Sequence, residues 1–583
     1  MSTVLPTDLV LINRNGTDYQ TFADMSTVQD DDFILVNRNN VDYKCTFEDL
    51  KKSKVDPLSE LTPTTIVGIA EVGATLRAVE GTVQGGREPI TYATRWQTSA
   101  DGTGNWSDLP GATGIYYAIK DSDLNQYLRA VTTATDSKPG TVQTLELSCV
   151  PTQKVICPPP ATFSWDANAD VYGRYPVADR RLDVHARIRR VCVKDNGTLT
   201  YLDADKSTVK AGDWLRLVET TELSAPYTGT HGEEVTNTAL RASAQPWEPY
   251  AFSKGMRVTH NGKVWECLAA TTTSLPAAGT ETTLLNGGEG QVMTEIPLFS
   301  VKHATVPTTE GELKHTFQVS RCIKTTDNWA VHPAFVKPDG SYREFIYVSA
   351  YQATGAHGSF STTGANNTTL STRAQCRSQC RTRGAGWHTM GYWEYNALQW
   401  LLITEYQDMN SQRVVGNGSV YGDQTYVPNG TSDTRGNRCG HASAGRQSDY
   451  VSYRGLENLW GRAYQWVDGI NVIDGVVYLC ADPAKWADDT DSGYTVNGTL
   501  PSTDGWFQRD VMDGIALLPS KTNGASSTTF VGDIFYIGQN HRTVRVGGLA
   551  NGNGNNGFFL VAANVASTYK NDNTASRLAY AAT

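Results

Sequence analysis

Only two stretches of this 583-residue chain carry a helical repeat, and that scarcity constrains the fold more than any other feature. Thr372 to Arg383 follows Ser371, an N-cap residue type, and stops at Gly384, the residue a helix C-terminus favours. Tyr392 to Tyr406 places Trp393, Ala397, Trp400, Leu401 and Ile403 along one face at helical spacing. Elsewhere apolar residues come in short runs broken by Gly, Asn, Asp and Pro, and everything after Asn410 reads as loops and short strands. The fold class that follows is multidomain and β-rich, with an α+β C-terminal part. Length alone suggests roughly three to five domains. Charged residues make up 19% of the chain, against about 25% in an average globular protein.

The charge balance narrows the function. The net charge is −10 and no basic run occurs, so the clustered Lys and Arg that phosphate binding requires are missing and nucleic acid is not an expected partner. No stretch approaches the roughly 18 apolar residues that span a bilayer, so membrane insertion is not expected. The segment Met1 to Arg14 lacks a basic n-region and its apolar run, Leu9 to Ile12, is short, so Sec export is not expected. The ten cysteines are irregularly spaced and are read mostly as small buried hydrophobes, with any pairing left open. Cys376 and Cys380 lie one helical turn apart but have no further ligands at zinc spacing. H-E-x-x-H, P-loop and G-x-S-x-G elements are absent. No catalytic residue, metal or cofactor is expected.

Four segments emerge along the chain. Within residues 1–55, Asp8 to Tyr19 (DLVLINRNGTDY) returns as Asp32 to Tyr43 (DFILVNRNNVDY), 24 residues on. Each copy reads as a hairpin, with Asn15-Gly16 and Asn39-Asn40 at the turns, and two such hairpins need a partner to bury a core. Residues 56–152 hold short strands at sandwich spacing: Gly68 to Gly81, Ile90 to Ser99, Trp106 to Leu109, Tyr116 to Ile119 and Tyr127 to Asp136. Cys157-Pro-Pro-Pro160 is a stiff linker. A last unit, 153–222 and 288–583, opens with a hairpin at Asn196-Gly197 and is interrupted by 223–287.

Three of these segments resemble known families. With Trp96, Gly111-Ala112-Thr113, Tyr117, Asp121 to Asp123 and Tyr127 to Ala130, residues 56–152 resemble bacterial and phage Ig-like modules, with Asp123 to Arg129 in the tyrosine-corner position. Trp247-Glu-Pro-Tyr250, Gly255, Val258, Gly262 and Val264-Trp265-Glu-Cys267 resemble a small chitin-binding type of carbohydrate module. That resemblance makes Trp247, Tyr250 and Trp265 a sugar platform. Gln291 to Phe299, His332 to Phe335, Phe345 to Tyr351, Arg383 to Trp387, Tyr453 to Gly461, Gln465 to Ile470, Arg545 to Gly548 and Ala575 to Leu578 follow one another as in phage tail-fibre ends with a C-type-lectin-like fold. Tropism determinants, diversity-generated variable proteins and formylglycine-generating enzymes share that fold.

Those enzymes need paired reactive cysteines near the terminal signature. Here Cys480 is the last cysteine, leaving only Cys439-Gly-His441 as a candidate thiol and base. The chain is therefore read as a non-enzyme. The resemblance implies a virion protein, assembled in the host cytoplasm, that attaches a phage tail to a host-surface receptor; a glycan is the expected receptor because the candidate residues are amides and aromatics. Because its small hairpins need a partner, residues 1–55 are expected to dock to other tail proteins, and a homo-oligomer is expected, by the resemblance a trimer. A non-receptor decoration or connector of the particle is the alternative, and a formylglycine-generating-type enzyme the third reading. The Gly- and Asn-rich run Leu549 to Gly557 is polar and small, unsuited to a core, and amides suit paired hydroxyls. Asn551, Asn553, Asn555, Asn556, Tyr569, Asn571 and Asn573 are the expected recognition residues by the same resemblance. Trp460, Trp466, Gly461 and Gly469 are expected to lock loops onto the sheet, with Glu457 and Asn458 as loop-fixing hydrogen bonders and Arg577 pairing with Asp468.

Overall fold

Short alternating runs cannot bury a core singly, and the chain answers by pairing them. A computed structural model describes residues 56–137, 142–166, 184–201, 285–288, 290–307, 313–419, 428–433, 439–441, 450–511, 514–522, 526–527, 531–550, 552 and 555–582. It also describes the backbone of separate strands within 10–46, 171–174 and 215–267. Contacts divide the chain into two compact units, 1–70 with 75–155, and 71–74 with 156–583.

In the first unit the duplicated segment forms two hairpins, Val10–Arg14 with Asp18–Thr21 and Phe33–Arg38 with Val41–Thr46. Their first strands pair antiparallel, Leu11 opposite Leu35 and Ile12 opposite Ile34, so the repeat supplies its own partner in one four-stranded sheet. Both turns lie outside the described residues. Residues beyond 56 form a four-stranded sheet from Ser107–Thr113, Thr91–Ser99, Tyr127–Thr135 and Thr144–Ser148. A three-stranded one comes from Tyr116–Ala118, Thr75–Val79 and Thr65–Val67. Trp96 is fully buried and stacks on Tyr117 from the smaller sheet, centroids 5.5 Å apart. Its Nε1 donates to the Gly114 carbonyl at 3.0 Å. The tyrosine held near Asp123 is Tyr117, whose hydroxyl donates to the carboxylate at 2.8 Å; the expected Tyr127 packs its ring under Gly102 instead.

Among the described residues the α-helices lie in the second unit. Helix α1, Arg373–Arg381, is capped by Thr372 and not by Ser371. Thr372 Oγ1 accepts from the Gln375 amide and Gln375 Oε1 from the Thr372 amide, the reciprocal pair that satisfies two free donors. Its C-cap is Thr382, so Gly384 turns the chain with φ +126° just beyond the helix. Helix α2, Tyr392–Tyr406, lies where the repeat placed it but is buried around its circumference instead of along one face. Its polar residues survive there because they are paired: Gln399 donates to the Phe558 carbonyl at 3.1 Å, Glu394 meets His388 at 3.0 Å and Asn396 meets His332 at 2.9 Å. Helix α3, Ser411–Val414, is a single turn in a region expected to be loop and strand, and Asn410 caps it by accepting from the Arg413 amide.

Around α2 run a five-stranded sheet, a six-stranded sheet and a longer one from residues 464–575. The Asn196-Gly197 hairpin joins Arg189–Val193 to Leu199–Tyr201. In the interrupting segment Arg257–His260 pairs with Lys263–Cys267, which also pairs with Leu215–Leu217, ahead of residue 223. Cys157 and Cys322 form a disulfide, so these two are not packing residues; cysteines 149, 376, 380 and 480 are buried free thiols, Cys192 is buried and Cys439 half-buried. Among the described residues no helix is long and apolar enough to cross a membrane.

The long loops are fastened as the sequence suggested. Trp460 Nε1 donates to the Gly416 carbonyl and Trp466 Nε1 to the Ser371 carbonyl, each at 3.0 Å. Glu457 accepts from the Gly430 and Ser432 amides at 3.1 and 2.7 Å, and Asn458 Oδ1 from the Val451 amide at 3.2 Å. Arg577 does not pair with Asp468: fully buried, it donates to the Ser349 and Glu457 carbonyls and to Gln465 Oε1. Asp468 belongs instead to Arg377 and Arg373 of α1.

Candidate functional site

Alternation along three strands builds the candidate recognition face. In Ile534–Ile537, His541–Val546 and Val561–Val565, the side chains of Phe535, Val544, Val546, Val561 and Ala563 enter the core. A strand's period of two therefore sends Ile534, Tyr536, Arg545, Ala562 and Asn564 to the opposite face. Tyr536 pairs with Ala562, Ala562 with Arg545, and Arg545 with Trp466 on Tyr464–Ile473, which makes one row across four strands. Tyr464, Leu560 and Ala562 pack together there, with Ile534, Tyr536 and Leu549 half-buried against them.

Arg545 is the hub of this row. Its guanidinium lies 4.4 Å from the Tyr464 ring centroid and 4.7 Å from that of Tyr569. Nη1 donates to Thr574 Oγ1 at 3.2 Å and Nη2 to Asn564 Oδ1 at 3.1 Å. Nε is buried with no hydrogen-bond partner. Burial pulls the guanidinium below its ordinary range and pushes the Tyr464 hydroxyl up to about 12. Trp466 meets the Tyr569 ring edge-on at 6.4 Å.

The predicted residues distribute unevenly. Tyr569, Asn571 and Asn573 come together, all half-buried, where Thr574–Ala575 pairs with Tyr464–Ile473. Asn571 accepts from the Leu370 amide at 3.0 Å and Asn573 from the Tyr464 amide at 2.9 Å, both through backbone carbonyls, while Asn573 Oδ1 accepts from Thr574 Oγ1. Asn555 sits at the other edge of the sheet, where its Oδ1 accepts from Trp506 Nε1 at 3.1 Å. Asn556 is not an exposed residue: it is 2% accessible, and its amide donates to the Leu549 carbonyl at 2.8 Å. A side chain on Gly548 or Gly552 would occupy the space Asn556 fills. Asn551, Asn553, Trp247 and Tyr250 lie outside the described residues, as does the side chain of Trp265.

Sequence reasoning missed Tyr464, Tyr536, Asn564 and the part played by Arg545. The available signal was the alternation in 541–546 and 561–565, which separates one arginine and one asparagine from a row of core residues. Elsewhere, burial pushes the thiols of Cys376 and Cys439 up to about 12 and about 11, away from the thiolate. No group of three potential metal ligands occurs among the described residues.

At the surface this face offers the half-exposed rings of Tyr536 and Tyr569 and the amides of Asn564, Asn571 and Asn573, while Arg545, Tyr464 and Trp466 are buried. No protein-family model matches the chain, and no curated protein does. Among solved structures, the chain is similar to a Major Tropism Determinant U1 Variant over 66% of this chain and 92% of that one. That likeness, at 13% identity and a TM-score of 0.20, is too slight to carry an argument.

Proposed function

We propose that this chain is a bacteriophage tail fibre or receptor-binding protein that attaches the virion to a glycan on the host surface. The observation that carries the reading is the half-exposed group Tyr536, Tyr569, Asn571 and Asn573 with the exposed Asn564, set on the buried row Ala562, Arg545 and Trp466, with Asn555 at the far edge. Rings cover the apolar face of a sugar, and amides pair with its hydroxyls. The sheet beneath is fixed by buried arginines and tryptophans, so the face is preorganised for binding. The ordered tail-fibre motifs of the sequence agree with this use.

In this reading residues 1–55 dock the particle and 56–152 form an Ig-like spacer. A C-type-lectin-like head, 153–222 and 288–583, carries the carbohydrate-module-like insertion 223–287. The protein is a trimer, because repeated heads multiply a weak glycan contact through effective concentration. It acts without catalysis. Purified virions probed by mass spectrometry and immunogold should contain the chain at the tail. A particle without it would contradict the proposal, and a chain in the particle that never binds host cells would favour the decoration reading.

A further inference from the structure

We infer that the ligand of this face is an acidic sugar whose carboxylate is received by Arg545; the inference rests on the receptor-binding reading above. Four other buried arginines have an acid beside them, and Arg577, fully buried, has none but donates to the Ser349 and Glu457 carbonyls and to Gln465 Oε1. Arg190 has Asp433 at 3.0 Å, Arg377 has Asp468 at 2.6 Å, Arg373 has Asp488 at 2.5 Å, and Arg454 has Glu405. Arg545 is as enclosed, at 5% accessible, yet among the described residues no carboxylate lies within ion-pair distance of it. A buried cation without a counter-charge is costly, and unlike Arg577 the Arg545 guanidinium leaves its Nε without a hydrogen-bond partner among the described residues.

What surrounds Arg545 is neutral: two tyrosine rings, a threonine hydroxyl and the amide oxygen of Asn564. Of these, Asn564 alone is exposed. Its Oδ1 stands where an anionic oxygen would make a stronger, charge-assisted bond to Nη2. Rotating this one surface side chain away opens the guanidinium to a carboxylate from solvent. The half-exposed rings of Tyr536 and Tyr569 lie beside that opening. They supply the flat apolar surface that suits a pyranose better than a peptide.

The test uses the full chain and two matched probes, oligosaccharides of polyglucuronate and the same oligosaccharides after carboxyl reduction, by saturation-transfer NMR and by competition for host-cell binding. Transfer to the acid form, at least tenfold weaker for the reduced form and falling with added salt, is expected. Arg545→Gln should abolish it, and Arg545→Lys should retain a weakened response. Arg542→Gln removes an equal charge nearby and should change binding less than twofold. Because the carboxyl-reduced probe tests the unmodified protein, the outcome does not depend on Arg545→Gln folding. Host-cell binding that survives carboxyl reduction of the cell surface, or that protease treatment of the cells destroys, would overturn the acidic-sugar inference while leaving receptor binding intact. Absence of any host-cell binding would overturn both. Binding lost on enzymatic removal of surface phosphate or sulfate, but not on carboxyl reduction, would also overturn the carboxylate assignment.

Discussion

Asp468 receives both arms of the Arg377 fork, Nε at 2.6 Å and Nη2 at 3.0 Å, across 91 residues of sequence. This contact, shared with Arg373 and Asp488, ties α1 to the strand that begins at Tyr464, and so underlies the edge of the proposed recognition face. Asp468 is fully buried. Asp468→Asn leaves two enclosed cations short of a charge and should cost about 3–5 kcal/mol. Arg377→Lys keeps the charge but loses the fork and should cost less. Denaturant unfolding of the full chain measures both.

Asp533 predicts a pH dependence. Burial raises its carboxyl from 3.8 to about 8, against the Phe559 amide that donates to it at 2.6 Å. Below 3.8 both states hold the proton and the group contributes nothing to the pH dependence. Between 3.8 and about 8 the unfolded chain releases a proton that the fold retains, so stability falls as pH rises. The slope is at most about 1.4 kcal/mol per pH unit, and it flattens above the folded value. Asp533→Asn should remove that slope, read as thermal unfolding midpoints from pH 5 to pH 9.

Asn556 and its neighbours should separate stability from binding. Asn556→Ala deletes the bond to the Leu549 carbonyl and empties a buried site, and should cost about 1–3 kcal/mol. Replacing Asn555, Asn571 and Asn573 with Ala removes three side-chain acceptors, for Trp506 Nε1, the Asn573 amide and Thr574 Oγ1, and should cost about 1–3 kcal/mol in all while the backbone carbonyls of Asn571 and Asn573 keep their bonds. The triple variant should also lose host attachment, because each missing ligand bond is worth on the order of 1 kcal/mol and multivalency compounds the loss.

The Cys157–Cys322 disulfide closes a separation of 165 residues. Breaking it with Cys157→Ser and Cys322→Ser should lower stability by about 3–5 kcal/mol under oxidising conditions. Reductant should destabilise the natural chain by a similar amount and leave the double variant unmoved.

Features fixed by local spacing were legible in the sequence. The two hairpins, α2 and the buried Trp96 follow from repeats, periodicity and an aromatic at sandwich spacing. Ser371 yielded to Thr372 as cap because only Thr372 has Gln375 three residues on to complete the reciprocal pair. The pairing of Asp468 was misassigned because its partner lies far off in sequence, although Arg373 and Arg377 at one-turn spacing already mark a cationic helix face. Asn556 was read as surface because its neighbours are glycines. Those glycines are what make room for it to be buried. Arg545 was read as part of a motif, and its chemistry became visible only when the sheet set Tyr464 beside it and Tyr569 came to lie on it.

Competition for adsorption tests the central claim most directly. Purified full chain, added to host cells before phage, should occupy the receptor and reduce adsorption in a dose-dependent way, and the Asn555, Asn571 and Asn573 alanine variant should compete far more weakly at equal folded concentration. Adsorption unaffected by the natural chain at saturating dose, or reduced equally by the variant, would contradict the assignment of receptor binding to this face.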